Sequence, residues 1–363
     1  MNVCFVLPGI GKEINGGYKV VYQYANLLAD DGFNVQILYY NDILFNKYYI
    51  PKIIKRGYCN YLMKKEPRWF DLNKRINKIS SYDKYYRDKI QNTNVAIATA
   101  AETVNFVKKE FPNSSKLYFI QGYEKWAMSL QDLEKTYKEK DFTNIVISKS
   151  LKKIVDRFST TPSVYIRNAI DVNKYKVNTP IETRNRYVLG TLYNPNPEKG
   201  FKYTFDVIKK VKKLYPSLKV IAFGVPKRPN FFPSWIEYHS CASMDETIQI
   251  YNSISIFIST SVNEGFGLTG LESIACGAAL VASEYQGVTE YAVNNKNALL
   301  SPIKETEQLE KNIIKLLKDD KLRIKLARNG SVTAKNYSWQ NSYKKFKKII
   351  LCKKELGKIE NDK

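Results

Sequence analysis

The stretch Asn263-Glu-Gly-Phe-Gly-Leu-Thr-Gly-Leu-Glu272 decides the fold, because its glycines join a short apolar run to an apolar helix. The preceding run, residues 254–259, has the length and composition of a buried strand, and Gly265 and Gly267 mark a turn. From Leu268 onward, leucine, isoleucine and alanine recur at helical spacing. A strand, a glycine turn and a helix that packs back on the sheet form the repeating unit of an α/β fold.

Two carboxylates flank the start of this helix. Glu264 lies in the turn, and Glu272 lies on the helix, one turn after Leu268 and on the same side. Because an unpaired buried carboxylate is costly, we expect Glu272 to face a cleft and to meet hydroxyls or cations there. The helix start supplies free N–H groups and a positive dipole end, which suit a phosphate. The segment therefore predicts a site for a nucleotide-sugar.

The rest of the chain alternates strand and helix patterns in two series. The first series begins at residue 3 and predicts a parallel sheet. A polar segment at 171–185 is typical of a hinge, and the second series follows it. The pattern predicts two Rossmann-like domains, at 1–175 and 176–340, and a basic C-terminal helix at 341–363. This helix should dock on one domain through four residues: Tyr343, Phe346, Ile350 and Leu351.

Composition limits the classes of function. A chain of 363 residues exceeds the usual size of a domain with a single hydrophobic core, so two domains are expected. Its net charge of +23 should attract polyanions such as phosphorylated ligands, acidic lipid headgroups or nucleic acid. No stretch approaches eighteen uncharged apolar residues and the first residues lack the pattern of a signal peptide, so we expect a cytoplasmic protein.

Histidine-dependent catalysis and metal chemistry are both disfavoured. The single histidine, His239, has no nucleophile motif nearby, and a structural or exposed role is expected for it. Five scattered cysteines without a Cys-x-x-Cys pair argue against disulfides and structural zinc. Since no Asp-x-Asp stands in a loop position either, we expect neither a metal nor another cofactor.

The predicted insertion at 47–90 is rich in basic and aromatic residues. Between Lys47 and Lys89 there are thirteen Lys or Arg against four Asp or Glu, interleaved with nine Tyr, Trp or Phe. Such a surface suits a membrane interface, a polyanion or a sugar chain. The alternative is a solvated helical insertion whose aromatic side chains pack inward.

Two further segments are candidates for phosphate or sugar contacts. Gly16 and Gly17 stand directly before a predicted helix. The dinucleotide-binding fingerprint of three spaced glycines is incomplete here, because Ile14 occupies the position of its third glycine. Lys199 follows a predicted strand and a proline-rich loop and precedes the next helix. It can therefore reach the carboxyl edge of the sheet, where ligands of open α/β sheets bind.

Together these motifs resemble the retaining nucleotide-sugar glycosyltransferases of family GT4, over about residues 2–340. The resemblance implies the GT-B fold, in which two Rossmann-like domains with parallel sheets face each other across a cleft. It implies that Glu264 contacts hydroxyls of the donor sugar and that Glu272 contacts the nucleotide ribose. The family's diphosphate lies near backbone amides that correspond to Phe266, Gly267, Leu268 and Thr269. The segment after Gly16 and Gly17 is similar to the family's N-terminal glycine loop and first helix.

Two positions depart from the family pattern. Thr191 stands where the family has the arginine of an Arg-Lys pair on the diphosphate, so that Lys199 alone remains of the pair. Gln121 stands where many members have a histidine. It cannot act as a base at neutral pH, but it can hold a hydroxyl on the acceptor side.

The resemblance implies sugar transfer with retention of configuration to a glycan or a lipid-linked glycan, in surface polysaccharide biosynthesis. An acceptor of that kind and the basic charge suggest work at the inner membrane face. Two alternatives stay open at the level of sequence. One is a nucleotide-sugar epimerase or hydrolase of the same fold, for which Glu102 and Glu124 are candidate acid/base residues that show no pairing. The other is a non-catalytic basic protein that binds nucleic acid, although no such motif is present.

Overall fold

The computed structural model describes residues 1–45 and 49–361 and divides them into two compact units. Unit 1 comprises residues 1–167 together with the C-terminal segment from Gln340, and unit 2 comprises residues 168–339. The change from one unit to the other thus falls at 167/168, earlier than the boundary at 175/176 that the sequence predicts. Of the predicted basic insertion, Lys47 and Tyr48 lie outside the described residues.

Unit 1 is built on a parallel sheet of seven strands, as the alternating pattern predicts. The strands are β1 (Asn2–Leu7), β2 (Asn34–Tyr39), β3 (Asn77–Ser80), β4 (Val95–Ala98), β5 (Ser115–Ile120), β6 (Phe142–Val146) and β7 (Val164–Tyr165). Their order across the sheet is β3-β2-β1-β4-β5-β6-β7. The direction of winding therefore reverses between β1 and β4, which is the position where ligands bind in open α/β sheets.

The helices of unit 1 are α1 (Gly16–Asp30), α2 (Asp42–Phe45), α3 (Lys52–Lys65), α4 (Tyr86–Ile90), α5 (Ala101–Glu110), α6 (Leu130–Tyr137) and α7 (Lys149–Val155). The basic insertion is thus not wholly helical, because it contributes the edge strand β3 between α3 and α4. Its aromatic residues divide between two environments. The Trp69 and Phe70 rings pack on Tyr22 of α1 at 5.7 and 5.4 Å, whereas tyrosines of α3 are exposed.

Unit 2 is built on a parallel sheet of six strands in the order β10-β9-β8-β11-β12-β13. The strands are β8 (Val188–Leu192), β9 (Lys219–Gly224), β10 (Ile236–Ser240), β11 (Ile256–Ser259), β12 (Ala279–Ser283) and β13 (Ala298–Ser301). The helices are α8 (Phe201–Leu214), α9 (Met244–Ser253), α10 (Leu268–Ala275), α11 (Thr306–Lys318) and α12 (Asp320–Ala334). The winding reverses between β8 and β11, so the loops that follow these two strands lie side by side.

The last helix, α13 (Trp339–Asn361), returns the chain to unit 1. Phe346 is fully buried, and its ring stacks on Tyr24 at 4.3 Å between centroids. Tyr343 and Lys347 both bond Asp31 at the end of α1. Leu351 is 42% exposed, which differs from its predicted docking role, because it follows the buried Ile350 and is rotated away from the packed face. Within the part of the chain that is described, no helix has the length and apolar character to span a bilayer.

Candidate functional site

Two buried tyrosines pack against the glycine turn before α10 and hold its conformation. Gly267 has φ of +86°, a left-handed conformation that favours glycine. A Cβ atom at Gly267 would lie 2.2 Å from the Tyr285 hydroxyl, and one at Gly270 would lie 2.3 Å from the Tyr291 hydroxyl. The Tyr291 hydroxyl also donates to the Gly267 carbonyl at 2.7 Å. Glycine is therefore required at 267 by both its backbone conformation and the space available.

Glu264 and Lys199 form an ion pair beside this turn. Lys199 Nζ lies 2.8 Å from Glu264 Oε1, and Ser261 Oγ donates to Glu264 Oε2 at 2.7 Å. The lysine and glutamate side chains are 29% and 18% exposed, so both can be reached from solvent. The Gly287 N–H donates to the Glu264 carbonyl at 3.1 Å and holds the backbone of the turn. The structure thus brings together two of the residues for which the sequence predicts contacts with the donor, Lys199 and Glu264.

Lys199 is held in this position by contacts between the loop after β8 and the loop after β11. Gly200 has φ of +64°, and a Cβ there would lie 1.9 Å from the Thr260 carbonyl oxygen. Thr260 Oγ1 donates to the Gly200 carbonyl at 2.8 Å. The Val262 N–H donates to the Glu198 carbonyl at 2.7 Å, and Asn263 Nδ2 donates to Glu198 Oε1 at 3.2 Å. These bonds fix the backbone on both sides of the ion pair.

Glu272 has the polar partner that its place in an apolar helix requires. Tyr251 of α9 donates its hydroxyl proton to Glu272 Oε2 at 3.3 Å. Burial and the Glu272 charge raise the pKa of the Tyr251 phenol well above its ordinary value, which keeps the phenol protonated as a donor. Glu272 is only 5% exposed. Its hydroxyl partner is therefore a side chain of the protein itself, and the carboxylate is more enclosed than the cleft-facing position that the sequence predicts.

The backbone that should meet a diphosphate lies at the start of α10. Gly267 is the N-cap of α10 and provides no side-chain cap. The first N–H groups of a helix have no intrahelical partner, so the amides of Leu268 and Thr269 are suited to an anion. The Phe266 ring is buried against Tyr291 and Tyr337, and only the backbone of that residue remains for a ligand.

Thr191 is not brought to the ion pair. Its side chain is buried in β8, and Oγ1 donates to the Ile258 carbonyl of β11 at 3.1 Å. The hydroxyl therefore joins two strands, and the structure does not present it as a ligand contact. The cation that the structure does place at this loop beside Glu264 is Lys199.

Gln121 and the glycine pair of the N-terminal loop are neighbours in unit 1. Asn15 Oδ1 caps α1 by accepting from the N–H groups of Gly17 and Tyr18, at 2.9 and 3.2 Å. Gln121 Nε2 donates to the Gly17 carbonyl at 3.2 Å, which joins the end of β5 to the start of α1. A Cβ at Gly17 would lie 3.3 Å from Asn15 Oδ1 and 3.4 Å from Gln121 Nε2, so little space remains there. Gly16 is the first residue of α1.

Glu102 and Glu124, which show no pairing in the sequence, follow adjacent strands of unit 1 and are near enough for the charge of Glu102 to act on Glu124. Glu102 follows β4 and Glu124 follows β5, and Glu124 Oε2 accepts from the Ala101 N–H at 2.7 Å. Burial, with a contribution from the charge of Glu102, raises the pKa of Glu124 to about 7. Burial also raises the pKa of Glu102. Because β4 and β5 are adjacent strands, their order in the sheet explains a proximity that sequence spacing cannot show.

His239 has a structural role. Its ring nitrogens are 2.6 Å from Glu246 and 2.7 Å from Glu237. Partial burial opposes protonation, but hydrogen bonds to these two carboxylates raise the pKa of His239 above its ordinary value. Among residues 1–45 and 49–361, no group of three His, Cys, Asp or Glu side chains is arranged to hold a metal ion.

Sequence comparison matches residues 178–333 to the family described as Glycosyl transferases group 1. An uncharacterized glycosyltransferase of Methanocaldococcus jannaschii is 28% identical over 205 residues, which cover 52% of this chain and 57% of that protein. The N,N'-diacetylbacillosaminyl-diphospho-undecaprenol alpha-1,3-N-acetylgalactosaminyltransferase of Campylobacter jejuni is 33% identical over 99 residues, 27% of this chain and 26% of that protein. The matched region thus spans little more than half of the first relative and about a quarter of the second.

Solved structures resemble the chain over nearly its whole length. Sucrose-phosphate synthase from Thermosynechococcus elongatus has a TM-score of 0.75 at 13% identity and covers 96% of this chain and 98% of its own. Anabaena HepE in complex with UDP-glucose has a TM-score of 0.74 at 12% identity, with 97% and 100% covered. At these identities the likeness establishes the fold, and it confirms the predicted pair of parallel α/β halves.

Proposed function

We propose that this chain is a group 1 glycosyl transferase with the GT-B fold and that it transfers a sugar from a nucleoside-diphosphate sugar, a proposal supported by the family match at residues 178–333 and by the likeness of fold. The acceptor is a hydroxyl group of a glycan or a lipid-linked glycan, in the synthesis of a surface polysaccharide. The observation that carries the proposal is the ion pair of Lys199 and Glu264 beside the first amides of α10. A cation, a carboxylate and free N–H groups are the contacts that a sugar diphosphate requires.

The donor is bound by unit 2. Lys199 Nζ and the amides of Leu268 and Thr269 stabilise the negative charge that develops on the departing diphosphate. Glu264 accepts hydrogen bonds from hydroxyls of the transferred sugar. Glu272 contacts the ribose through its small exposed surface, while Tyr251 orients its carboxylate.

Transfer proceeds with retention of configuration and without a protein nucleophile. The acceptor oxygen forms a bond to the anomeric carbon on the face from which the diphosphate leaves. The bond between that carbon and the phosphate oxygen breaks, and the leaving phosphate takes the acceptor's proton. Gln121 of unit 1, positioned by the Gly17 carbonyl, holds the acceptor hydroxyl. No metal or other cofactor takes part, so transfer should persist in excess chelator.

The relatives support this class of donor and acceptor. The Campylobacter jejuni relative is named for transfer to a diphospho-undecaprenol glycan, and Escherichia coli relatives are named as serotype-specific and O-antigen chain mannosyltransferases. HepE was solved with UDP-glucose, and the pneumococcal transferase GtfA with UDP and GlcNAc. A lipid-linked acceptor places the work of this protein at the cytoplasmic face of a membrane, where a net charge of +23 favours anionic lipid.

Donor binding and transfer can be tested in sequence. Nucleoside diphosphates and their sugars are first screened for an increase in the melting temperature of the purified protein. The donor that gives the largest shift is then incubated with lipid-linked glycan, and the transferred sugar and its anomeric configuration are determined by mass spectrometry and NMR. Absence of any nucleotide-dependent shift, or an inverted linkage, would contradict the proposal.

The burial of Glu124 against the backbone N–H of Ala101, next to Glu102, favours one second candidate, an epimerase or hydrolase that acts on the nucleotide-sugar. Both carboxyls lie where their strands end, and the pKa of Glu124 near 7 suits acid/base chemistry. The two candidates differ in their need for an acceptor. Donor consumption that proceeds at full rate without acceptor would identify the second, whereas consumption that depends on acceptor identifies the transferase.

A further inference from the structure

Helix α3 (Lys52–Lys65) exposes apolar side chains on the face that points away from the sheet. Its buried residues are Cys59 and Leu62, whereas Ile53 and Ile54 are 77% and 58% exposed. Of the sixteen large apolar side chains exposed in the described chain, five lie within the thirteen residues 49–61. These five, called the α3 stripe below, are Tyr49, Ile53, Ile54, Tyr58 and Tyr61.

The members of the α3 stripe share a surface. Ile54, Tyr58 and Tyr61 are spaced i, i+4 and i+7, so they follow one another along one side of the helix. Ile53 lies next to this row, and Tyr49 precedes the helix. Cys59 and Leu62 hold the adjacent side of α3 against unit 1, and every member of the stripe is exposed to solvent.

Positive charge surrounds the α3 stripe. Residues 52–65 contain five Lys or Arg and no Asp or Glu. Lys65 Nζ lies 4.5 Å from the centroid of the Tyr61 ring and donates to its hydroxyl at 2.9 Å. Lys12 Nζ lies 5.5 Å from the centroid of the Tyr58 ring. Apolar, aromatic and basic groups are therefore interleaved on one exposed face.

We propose that the α3 stripe docks this protein on an anionic lipid bilayer. The isoleucines enter the boundary between headgroups and acyl chains, the tyrosines lie at headgroup level, and the lysines meet lipid phosphates. Nucleic acid would engage the lysines but offers no site for two adjacent isoleucines. A protein partner is disfavoured because lysine is depleted at protein–protein interfaces. The inference rests on the proposed function, in which a lipid-linked acceptor requires work at a membrane surface.

The apolar half of the proposal is tested with vesicles of phosphatidylcholine containing phosphatidylglycerol, without donor or acceptor. The full-length protein should sediment with these vesicles at low salt and not with pure phosphatidylcholine. Ile53→Gln/Ile54→Gln should lower the partition coefficient at least about tenfold, because burial of these side chains supplies the apolar term. The matched control is Leu214→Gln/Val332→Gln, which removes two exposed apolar side chains of unit 2 and should bind as the wild type does.

The contribution of positive charge is tested with two variants, each of which replaces three lysines by glutamine. Lys52→Gln/Lys64→Gln/Lys65→Gln should weaken binding and reduce its salt dependence. The triple at Lys311, Lys318 and Lys321 removes the same charge from exposed positions of unit 2 and should have a much smaller effect. Circular dichroism on each variant establishes that the fold is kept.

Three outcomes would overturn the inference. The wild type could remain in solution with anionic vesicles, or the isoleucine variant could bind as tightly as the wild type. The third outcome is a wild type that forms dimers which the isoleucine variant abolishes, since the stripe would then belong to an interface between copies of the chain. Because binding is measured without donor or acceptor, failure here leaves the transfer assay unaffected. A protein that binds vesicles but transfers no sugar would contradict only the proposed function.

Discussion

Lys199 Nζ and Glu264 Oε1 are 2.8 Å apart, and they join the two loops that follow the adjacent strands β8 and β11. The pair holds a cation beside the turn that precedes α10, through a carboxylate that itself accepts from Ser261. A sugar diphosphate bound at this point would find the lysine for its phosphates and the carboxylate for its sugar. We therefore expect the two residues to act as one binding unit for the proposed donor.

Replacement of Lys199 should lower turnover and leave the fold intact. Lys199→Ala removes a donor to the leaving diphosphate, and the loss of one such preorganised group costs about 3 kcal/mol, or roughly a hundredfold in kcat. The partly exposed side chain carries no core contact, so the unfolding midpoint should stay within about 2 °C of the wild type. Lys202→Ala, at an exposed position three residues later, is the control and should retain full activity. Near-normal kcat in Lys199→Ala would remove the lysine from the mechanism.

The local sequence predicts the start of α10, but it does not identify the side chains that pack against the glycine turn. Leu268 begins the helix as the apolar spacing indicates, because helical periodicity is a local property. Tyr285 and Tyr291 follow the next strand and reach the turn only after β12 is placed beside β11. Gly267 and Gly270 indicate that another group packs closely against the backbone of the turn, but the neighbouring sequence does not identify that group.

The same limit explains the other differences between pattern and structure. Glu102 and Glu124 are neighbours because β4 and β5 are adjacent, which is a property of strand order. In α3, apolar residues occur on several sides of the helix, so the pattern cannot tell the buried Leu62 from the exposed Ile54. Sequence thus predicts elements and candidate residues, while sheet order decides which candidates meet.

Gly267→Ala should destabilise unit 2 strongly. The left-handed φ costs a non-glycine residue about 1–2 kcal/mol, and the added Cβ would also clash with the Tyr285 hydroxyl. Gly267→Ala/Tyr285→Phe removes the nearest clashing atom and should recover part of the loss in the urea midpoint of unit 2. As a control, Gly57→Ala in α3 meets no atom within 4 Å and should stabilise slightly, by about 0.5–1 kcal/mol. Equal midpoints for Gly267→Ala and the wild type would contradict the geometry of the turn.

Phe346→Ala should detach α13 from unit 1. The buried ring packs on Tyr24, and deletion of a buried phenylalanine side chain costs about 3–5 kcal/mol. Hydrogen exchange should show reduced protection in both α13 and α1. Leu351→Ala, five residues later on the exposed side of the same helix, should change stability by less than about 1 kcal/mol. Similar effects for the two variants would mean that α13 is not anchored through Phe346.

Glu124 should make unit 1 less stable as the pH rises from about 4.5 to about 7. Its folded pKa of about 7 lies above the ordinary value of 4.5, so in this interval the folded state keeps a proton that the unfolded state has released. The shift corresponds to a loss of roughly 3 kcal/mol across the interval. Glu124→Gln keeps an oxygen to accept from the Ala101 N–H but cannot ionise.

The difference in unfolding free energy between Glu124→Gln and the wild type should therefore be close to zero below pH 4.5, grow in favour of the variant as the pH rises, and level off above pH 7. Urea unfolding of both proteins at a series of pH values measures this difference. Carboxylates with lowered pKa, such as Glu110 beside Arg87, act in the opposite direction but are common to both proteins and cancel. A difference that is the same at every pH would mean that Glu124 does not carry the titration, because only a group that ionises in one of the two proteins can make their stabilities diverge with pH.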